Sequence, residues 1–359
     1  MGENIKRLLV IRLSALGDVI LTSPVLEALQ KYLPDTEIHY LVKETYAAAI
    51  KNNPRVTQLH LLNDNEEDLH AKFAELDFKA VIDLQRNSVS KRIKKKINSE
   101  KTLTVDKRNI DKFQMTLLKR KIEIPHIVSR YLDVLRPLGI PVEANEFKLE
   151  FHIPDEYLQT ASVLLFNSPY TSLEPTKTDS TIHAQTLEWT ALEWTALVLG
   201  GSYRTKQWMP DLWAKLIQKI NGPVILLGGK GDSEYADLVL KELASFPYPI
   251  FDAVGKQDFM ISAALLAHSV RVVSHDTGLM HVAAALQKPT VALWGNTTPE
   301  IGMSPWQTPH FNAEVKGLWC RPCSKLGFER CPLGHFNCMK KLTPETVFQA
   351  LESLRPLNR

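Results

Sequence analysis

Two series of short apolar runs, each run followed by a helix-patterned stretch, constrain this chain more than any other feature. In the N-terminal half "RLLVIRL" (7–13), "EIHYLV" (37–42), "QLHLL" (58–62) and "AVIDLQ" (80–85) read as strands. Helical patterns such as "SPVLEALQKYL" (23–33) fall between them, with Pro24 in the first turn and Thr22 or Ser23 as cap. In the C-terminal half "ALVLGG" (196–201), "PVILLGG" (223–229), "RVVSHD" (271–276) and "PTVALWG" (289–295) repeat the scheme. Strands alternating with helices form parallel sheets covered on both faces. At 359 residues the chain exceeds what one core organises, about 250–300 residues. Two α/β domains are expected, 1–155 and 156–359, joined near "LEFHIPDEYLQ", with a closing helix over 342–357. Residues 167–195 are loop-like and overlap a tandem "LEWTALEWTA" (187–196), so they read as an insertion.

Hydrophobic content of 44% and charged content of 23% fit a globular protein. No apolar run approaches the roughly 18 residues of a membrane span. The opening "MGENIKRLLVIRL" is broken by Lys6, Arg7 and Arg12 and lacks a secretory pattern, so a cytoplasmic location is expected. The four cysteines are then reduced thiols or metal ligands. Residues 86–121 carry 13 Lys or Arg against three acids, a local +10 in a chain of net +3. Such a block is either a solvated face or a footprint for something anionic. The aromatic interleaving of single-strand nucleic-acid binding is missing from it, so no nucleic-acid partner is expected.

Ligands of open parallel sheets bind beyond the carboxyl ends of the strands. Three corners there carry chemistry. In "IRLSALGDVILTSP", Gly17 permits a tight turn and Asp18 opens a helix, as a cap or as a general base. As a cap it would tolerate Asn within about 1 kcal/mol of stability; as a base it would lose its rate, because an amide cannot accept the proton. In "GGSYRTKQW" (200–208), Lys206 follows glycines and hydroxyls, a phosphate-holding combination. In "VVSHDTGLMHVAAALQKPTVALWG", Asp276 sits at or near the N-cap, Thr277 and Gly278 begin a helix whose free amides attract anions, and His281 lies one turn on. Glu234 in "GGKGDSEYA" offers a carboxylate for a ribose. Neither a dinucleotide fingerprint nor a Walker loop is present, and no Asp-x-Asp pair offers a metal bridge to a diphosphate.

In order, "IRLSALGDVILTSP", "GGSYRTKQWMP" and "HDTGLMHVAAALQKPTVALWGNTTP" resemble the motifs of glycosyltransferase family 9, the ADP-heptose:lipopolysaccharide heptosyltransferases. The resemblance implies a GT-B fold: two Rossmann-like domains facing across a cleft, acceptor in the first and nucleotide sugar in the second. It implies an inverting, metal-independent transfer without cofactor, with Asp18 as base. Ser14, Gly17, Thr205, Lys206, Glu234, Asp276, Thr277, Gly278 and His281 would serve the donor. Arg86, with His126 and Arg130 of "HIVSR", would serve the acceptor, a phosphorylated lipid A or core oligosaccharide at an anionic inner-membrane face. Met209 in "KQWMP" departs from the family's Trp-Pro. Should Asp18 prove a cap, Asp83 or Glu44 would be the base. The competing reading is a nucleotide-sugar epimerase of related fold. Finally, Cys320, Cys323, Cys331 and Cys338, with His335, resemble a structural zinc site in spacing, against the default of reduced structural thiols.

Overall fold

The computed structural model describes residues 5–63, 66–166, 193–243 and 246–354. Two compact units share the chain: residues 1–109 with 124–152, and residues 110–123 with 153–359.

The first unit is a parallel sheet of five strands, β1 (Arg7–Ile11), β2 (Glu37–Lys43), β3 (Gln58–Leu62), β4 (Ala80–Asp83) and β5 (Lys101–Thr104), in the order β3-β2-β1-β4-β5. Leu8 pairs with Ile38 on one side and with Ala80 on the other. Leu8, Leu9, Val10 and Ile11 are all buried, as expected where both sheet faces are covered. The helices are α1 (Leu16–Ile20), α2 (Ser23–Tyr32), α3 (Glu66–Ala74) and α4 (Ser88–Lys95); α5 (Asn109–Thr116) leaves for the second unit, and α6 (Ile127–Asp133) returns to pack on α2. One core gathers Leu9, Ile11, Leu41, Phe73, Phe78, Val81 and Ile93.

The second unit begins its main fold with α7 (Asp155–Phe166) and carries six parallel strands. They are β6 (Trp194–Val198), β7 (Val224–Leu227), β8 (Ile250–Asp252), β9 (Ser269–His275), β10 (Thr290–Trp294) and β11 (His310–Glu314), in the order β11-β10-β9-β6-β7-β8. Between them run α8 (Pro210–Lys219), α9 (Ser233–Glu242), α10 (Phe259–Ala267) and α11 (Gly278–Ala285), and α12 (Asn337–Lys340) precedes α13 (Pro344–Ser353). Along β6, Leu197 points into one core with Trp208, Trp213 and Val239, while Ala196 and Val198 point into another with Ile225, Leu265 and Val272. The expected closing helix is α13. Its cap Thr343 accepts from the Thr346 amide at 3.2 Å, and Val347, Ala350 and Leu351 dock it on the first of these cores.

Three strands escaped the sequence reading. β5 ("KTLT"), β8 ("IFD") and β11 ("HFNAE") are short edge strands that need no continuous apolar run. β6 starts at Trp194, inside the loop-like stretch 167–195. Residues 167–192 of that stretch lie outside the described residues. The basic block is also divided. Lys112, Lys119, Arg120 and Lys121 go with the second unit, because Met115 is buried there and Lys119 Nζ donates to the carbonyls of Cys320 (2.9 Å) and Pro322 (2.7 Å).

A buried histidine pair marks the first core. His39 Nδ1 and His60 Nε2 lie 2.8 Å apart on β2 and β3, edge-on to Phe78 and Phe73. Burial lowers both pKa values, that of His60 to about 4, with its His39 neighbour adding to the effect. A histidine depressed in the folded state leaves stability intact above its unfolded value, about 6.5. As pH falls from there toward 4, the unfolded chain takes up protons that the folded pair refuses, at about 1.4 kcal/mol per proton and pH unit. Urea unfolding followed by circular dichroism should therefore show stability falling from pH 7 to 4.5. His60→Leu should flatten that slope by up to one proton; an unchanged slope would clear the pair of the acid sensitivity.

Candidate active site

Each sheet reverses its strand order once, beside β1 in the first unit and beside β6 in the second, and the polar corners lie at these points. In the first unit the β1–α1 loop is held from the end of β4. Gln85 Oε1 accepts from the Leu13 and Ser14 amides at 2.9 and 3.1 Å, and Gln85 Nε2 lies 3.4 Å from Ser14 Oγ. The Ser14–Ala15 peptide bond is cis. The N-cap of α1 is Ala15, so Asp18 is not the N-cap; it stands at the third helical position, where Oδ2 accepts from the Ala15 amide at 3.4 Å. The stronger partner is Arg12. Its guanidinium is buried, donates to the Leu84 carbonyl at 2.7 Å, lies over the Tyr131 ring and pairs with Asp18 Oδ2 at 2.8 Å. Burial alone would lower the Arg12 pKa, but Asp18 and the nearby Tyr131 and Tyr40 phenols more than offset this and raise it. Both Asp18 contacts use Oδ2, and the Asp18 side chain keeps 28% of its surface accessible.

Asp83, the first alternative base, has a carboxylate that is already engaged. It is buried, and its carboxylate accepts from the Gln85 and Arg86 amides, Ser90 Oγ and Lys94 Nζ, all within 2.9 Å. Glu44 lies exposed at the start of a 3-10 helix (Glu44–Ala49) after β2. Of the proposed acceptor residues, Arg86 is half-exposed, with a positive φ of 44°, and donates to the Val105 carbonyl at 3.1 Å. His126 caps α6 through Nδ1, which accepts from the Val128 amide at 3.2 Å. Arg130 is buried and donates to the Pro125 and Asp106 carbonyls.

In the second unit the corners after β6 and β9 meet. Lys206 Nζ pairs with Asp276 Oδ2 at 2.6 Å and reaches the Asp276 carbonyl at 3.3 Å. The N-cap of α11 is Thr277, with Asp276 directly before it; Gly278 opens the helix, and His281 is buried in its first turns. The first-turn amides of a helix have no partner within the helix, and such a turn can hold an anion. Thr205 is placed otherwise than expected: it is buried, with its hydroxyl bonded to both the carbonyl and the amide of Phe328 at 2.8 Å. Glu234 stands exposed near the start of α9.

Two residues that the sequence reading passed over hold this corner. His275 is fully buried, donates from Nδ1 to the Gly200 carbonyl at 3.1 Å and accepts at Nε2 from the Trp208 amide at 2.9 Å. It is a neutral bridge between the two motifs, and desolvation lowers its pKa to about 4, helped by Lys206. Asp232 accepts from Gln207 Nε2 at 3.0 Å and from the Gly229 amide at 2.9 Å. A Cβ on Gly200 would lie 2.6 Å from that carboxylate, so a side chain there would displace Asp232 from its bonds. The signal for His275 was its place at the end of a buried strand, where a polar ring needs two partners.

The four cysteines are free thiols. Cys320 Sγ lies 3.9 Å from His335 Nε2, and Cys323 Sγ donates to the Cys320 carbonyl. Among the described residues no group of three or more His, Cys, Asp or Glu is arranged to hold a metal. Burial raises the thiol pKa of Cys323, and that of Cys338 to about 11.

The profile of glycosyltransferase family 9 (heptosyltransferase) matches residues 68–329. A lipopolysaccharide heptosyltransferase 1 of Campylobacter coli is 24% identical over 305 residues, 81% of this chain and 84% of that one. Against the first curated heptosyltransferases it matches, the chain spans about half their length, 46% and 47%. A solved family 9 glycosyltransferase from Veillonella parvula superposes with a TM-score of 0.77 at 20% identity, covering 99% of this chain and 98% of that one. The Escherichia coli heptosyltransferase WaaC with ADP does so with a TM-score of 0.64 at 20% identity, covering 97% and 99%.

The Arg12–Asp18 pair predicts the stability of Asp18→Asn. An amide leaves a buried guanidinium without its counter-charge, so the variant should lose about 1–3 kcal/mol, more than an exchanged helix cap. Adding Arg12→Met should recover part of that loss, because the stranded charge is then gone. Urea midpoints of the single and double variants decide it, and a single variant matching wild type would refute the pairing.

Proposed function

This chain belongs to glycosyltransferase family 9, and we propose that it transfers a heptose from a nucleoside-diphosphate donor, ADP-heptose, to a lipopolysaccharide core or lipid A-type acceptor. The observation that carries the reading is the second-unit corner, where Lys206 and the N-terminus of α11 converge. A metal-free site must meet the charge of a departing diphosphate with such groups. The ADP bound by the Escherichia coli relative supports an adenine nucleotide here. The domain roles follow: nucleotide sugar on the second unit, acceptor on the first.

In this mechanism Asp18 takes the proton from an acceptor hydroxyl. The hydroxyl oxygen attacks the anomeric carbon from the face opposite the diphosphate, the carbon–oxygen bond to the diphosphate breaks, and the configuration inverts. Arg12 holds Oδ2, which leaves Oδ1 to receive the proton and fixes the direction from which it comes. Asp276 fixes the Lys206 ammonium at the helix N-terminus, so the charge is in place before the diphosphate arrives. His281, one turn into α11, backs the same corner. The location that goes with this role is the cytoplasmic face of an anionic membrane; no helix among the described residues is long and apolar enough to cross one. Mass spectrometry of the purified protein with a panel of nucleotide sugars and a lipid A-core fragment tests the reading. A mass gain of one heptosyl residue from ADP-heptose is expected, and transfer from a different donor class only would overturn it.

Kinetics separate the two corners. Asp18→Asn should lower turnover about 10²–10⁴-fold with donor affinity hardly changed, measured on folded protein. Lys206→Ala should lower turnover about 10²–10³-fold through lost leaving-group stabilisation. Normal rates in either variant would move that role elsewhere.

Metal dependence gives a second check. The chain has no Asp-x-Asp pair, so transfer is expected to survive EDTA. Loss that Mg²⁺ or Mn²⁺ restores would contradict the metal-free mechanism, whereas loss together with unfolding would return zinc to the cysteines.

A further inference from the structure

The segment that crosses to the second unit wears its apolar residues on the outside. Helical bonding continues past α5, since the Leu117 and Leu118 amides bond the carbonyls of Phe113 and Gln114 at 2.9 and 3.1 Å. Ile110, Phe113 and Leu117 recur at i, i+3 and i+7 with Leu118 alongside, forming one stripe. They are 73%, 56%, 64% and 53% exposed. Buried Met115 and the two bonds of Lys119 to the 320–322 backbone fasten the segment down, so the stripe is held outward. Trp319, 75% exposed, stands next to that anchor. Arg120, Lys121, Lys316 and Trp319 line a groove of about 1020 Å³ beside it, with Glu123, Glu300 and Glu314 also on its wall.

Contiguous large apolar side chains left in water mark an interaction surface. Their surroundings select the occupant. Residues 107–121 carry six Lys or Arg and one acid. An apolar helix stripe in a cation-rich segment, with an exposed tryptophan beside its anchor, suits the boundary between headgroups and acyl chains of an anionic bilayer. A second copy of this chain would instead bring the same positive charge against itself across a two-fold contact. We propose that this face of the second unit docks on an anionic lipid bilayer. The stripe Ile110–Phe113–Leu117–Leu118 and Trp319 enter the acyl boundary, and the exposed Arg120 and Lys121 take lipid phosphates. The inference deepens the proposed function, on which its purpose rests, since a lipid-anchored acceptor is presented at such a surface.

Co-sedimentation of the full chain with vesicles of phosphatidylcholine, alone or mixed with phosphatidylglycerol, tests it. Wild type should partition to the mixed vesicles about 10-fold or more above the neutral ones, with the preference shrinking as salt rises. Phe113→Ser with Leu117→Ser should weaken partition about 10-fold or more, and Arg120→Glu with Lys121→Glu should remove the preference for the anionic lipid. All four positions are exposed, so folding should hold, as circular dichroism can verify. Absent vesicle binding by wild type, or undiminished binding by the serine variant, would overturn the proposal. So would a dimer in solution, lost in the serine variant, with no vesicle binding. Transfer to a soluble, deacylated acceptor fragment keeps the two readings apart. Wild type and serine variant should turn over alike there. Transfer without vesicle binding sinks this face alone, and vesicle binding without transfer sinks the functional reading alone.

Discussion

A strand buried on both faces can show polar groups only at its ends, and this governs where chemistry appears in the molecule. Leu8 to Ile11 of β1 and Val224 to Leu227 of β7 are wholly enclosed, so nothing along them can meet a ligand. Polar residues appear where the strands stop. Both sheets reverse their order once, beside β1 and beside β6, and neighbouring loops part there. Asp18 and Gln85 belong to the first such corner, and Lys206, His275 and Asp276 to the second.

Both corners answer the same electrostatic problem. A cation withdrawn from water is costly unless a carboxylate accompanies it. Arg12 has Asp18 and Lys206 has Asp276. Pairing also sets one carboxylate oxygen and one ammonium in fixed places. The group between the two motifs of the second unit is a neutral imidazole. His275 joins the Gly200 and Trp208 backbones without adding a buried charge, and its depressed pKa follows from that enclosure.

The α5 segment shows a limit of pattern reasoning. Ile110, Phe113 and Leu117 have the spacing of a helix face turned to a core, yet Met115 takes the buried position and the stripe faces outward. Spacing establishes that apolar residues share a face; the backbone that anchors the helix decides which way that face turns. The same reason divides the basic block. Its charge is visible from composition, but the bonds of Lys119 to the 320–322 carbonyls attach its last part to the second unit.

Local patterns by themselves determined the two α/β units, the central strands, the capped final helix and the corners holding Asp18, Lys206 and Asp276. Buried parallel strands and helix starts leave dense local signals, and these elements consist of them. Only the tertiary structure decided the partners. Arg12 and Asp18 are near in sequence, but Gln85 reaches Ser14 across 71 positions and Lys206 reaches Asp276 across 70. It likewise set the contacts of Asp83, whose carboxylate accepts from four donors, and of Thr205, whose hydroxyl meets the Phe328 backbone. A side chain's chemistry depends on what its lone pairs and protons already hold, and those contacts are made by residues that only folding brings together.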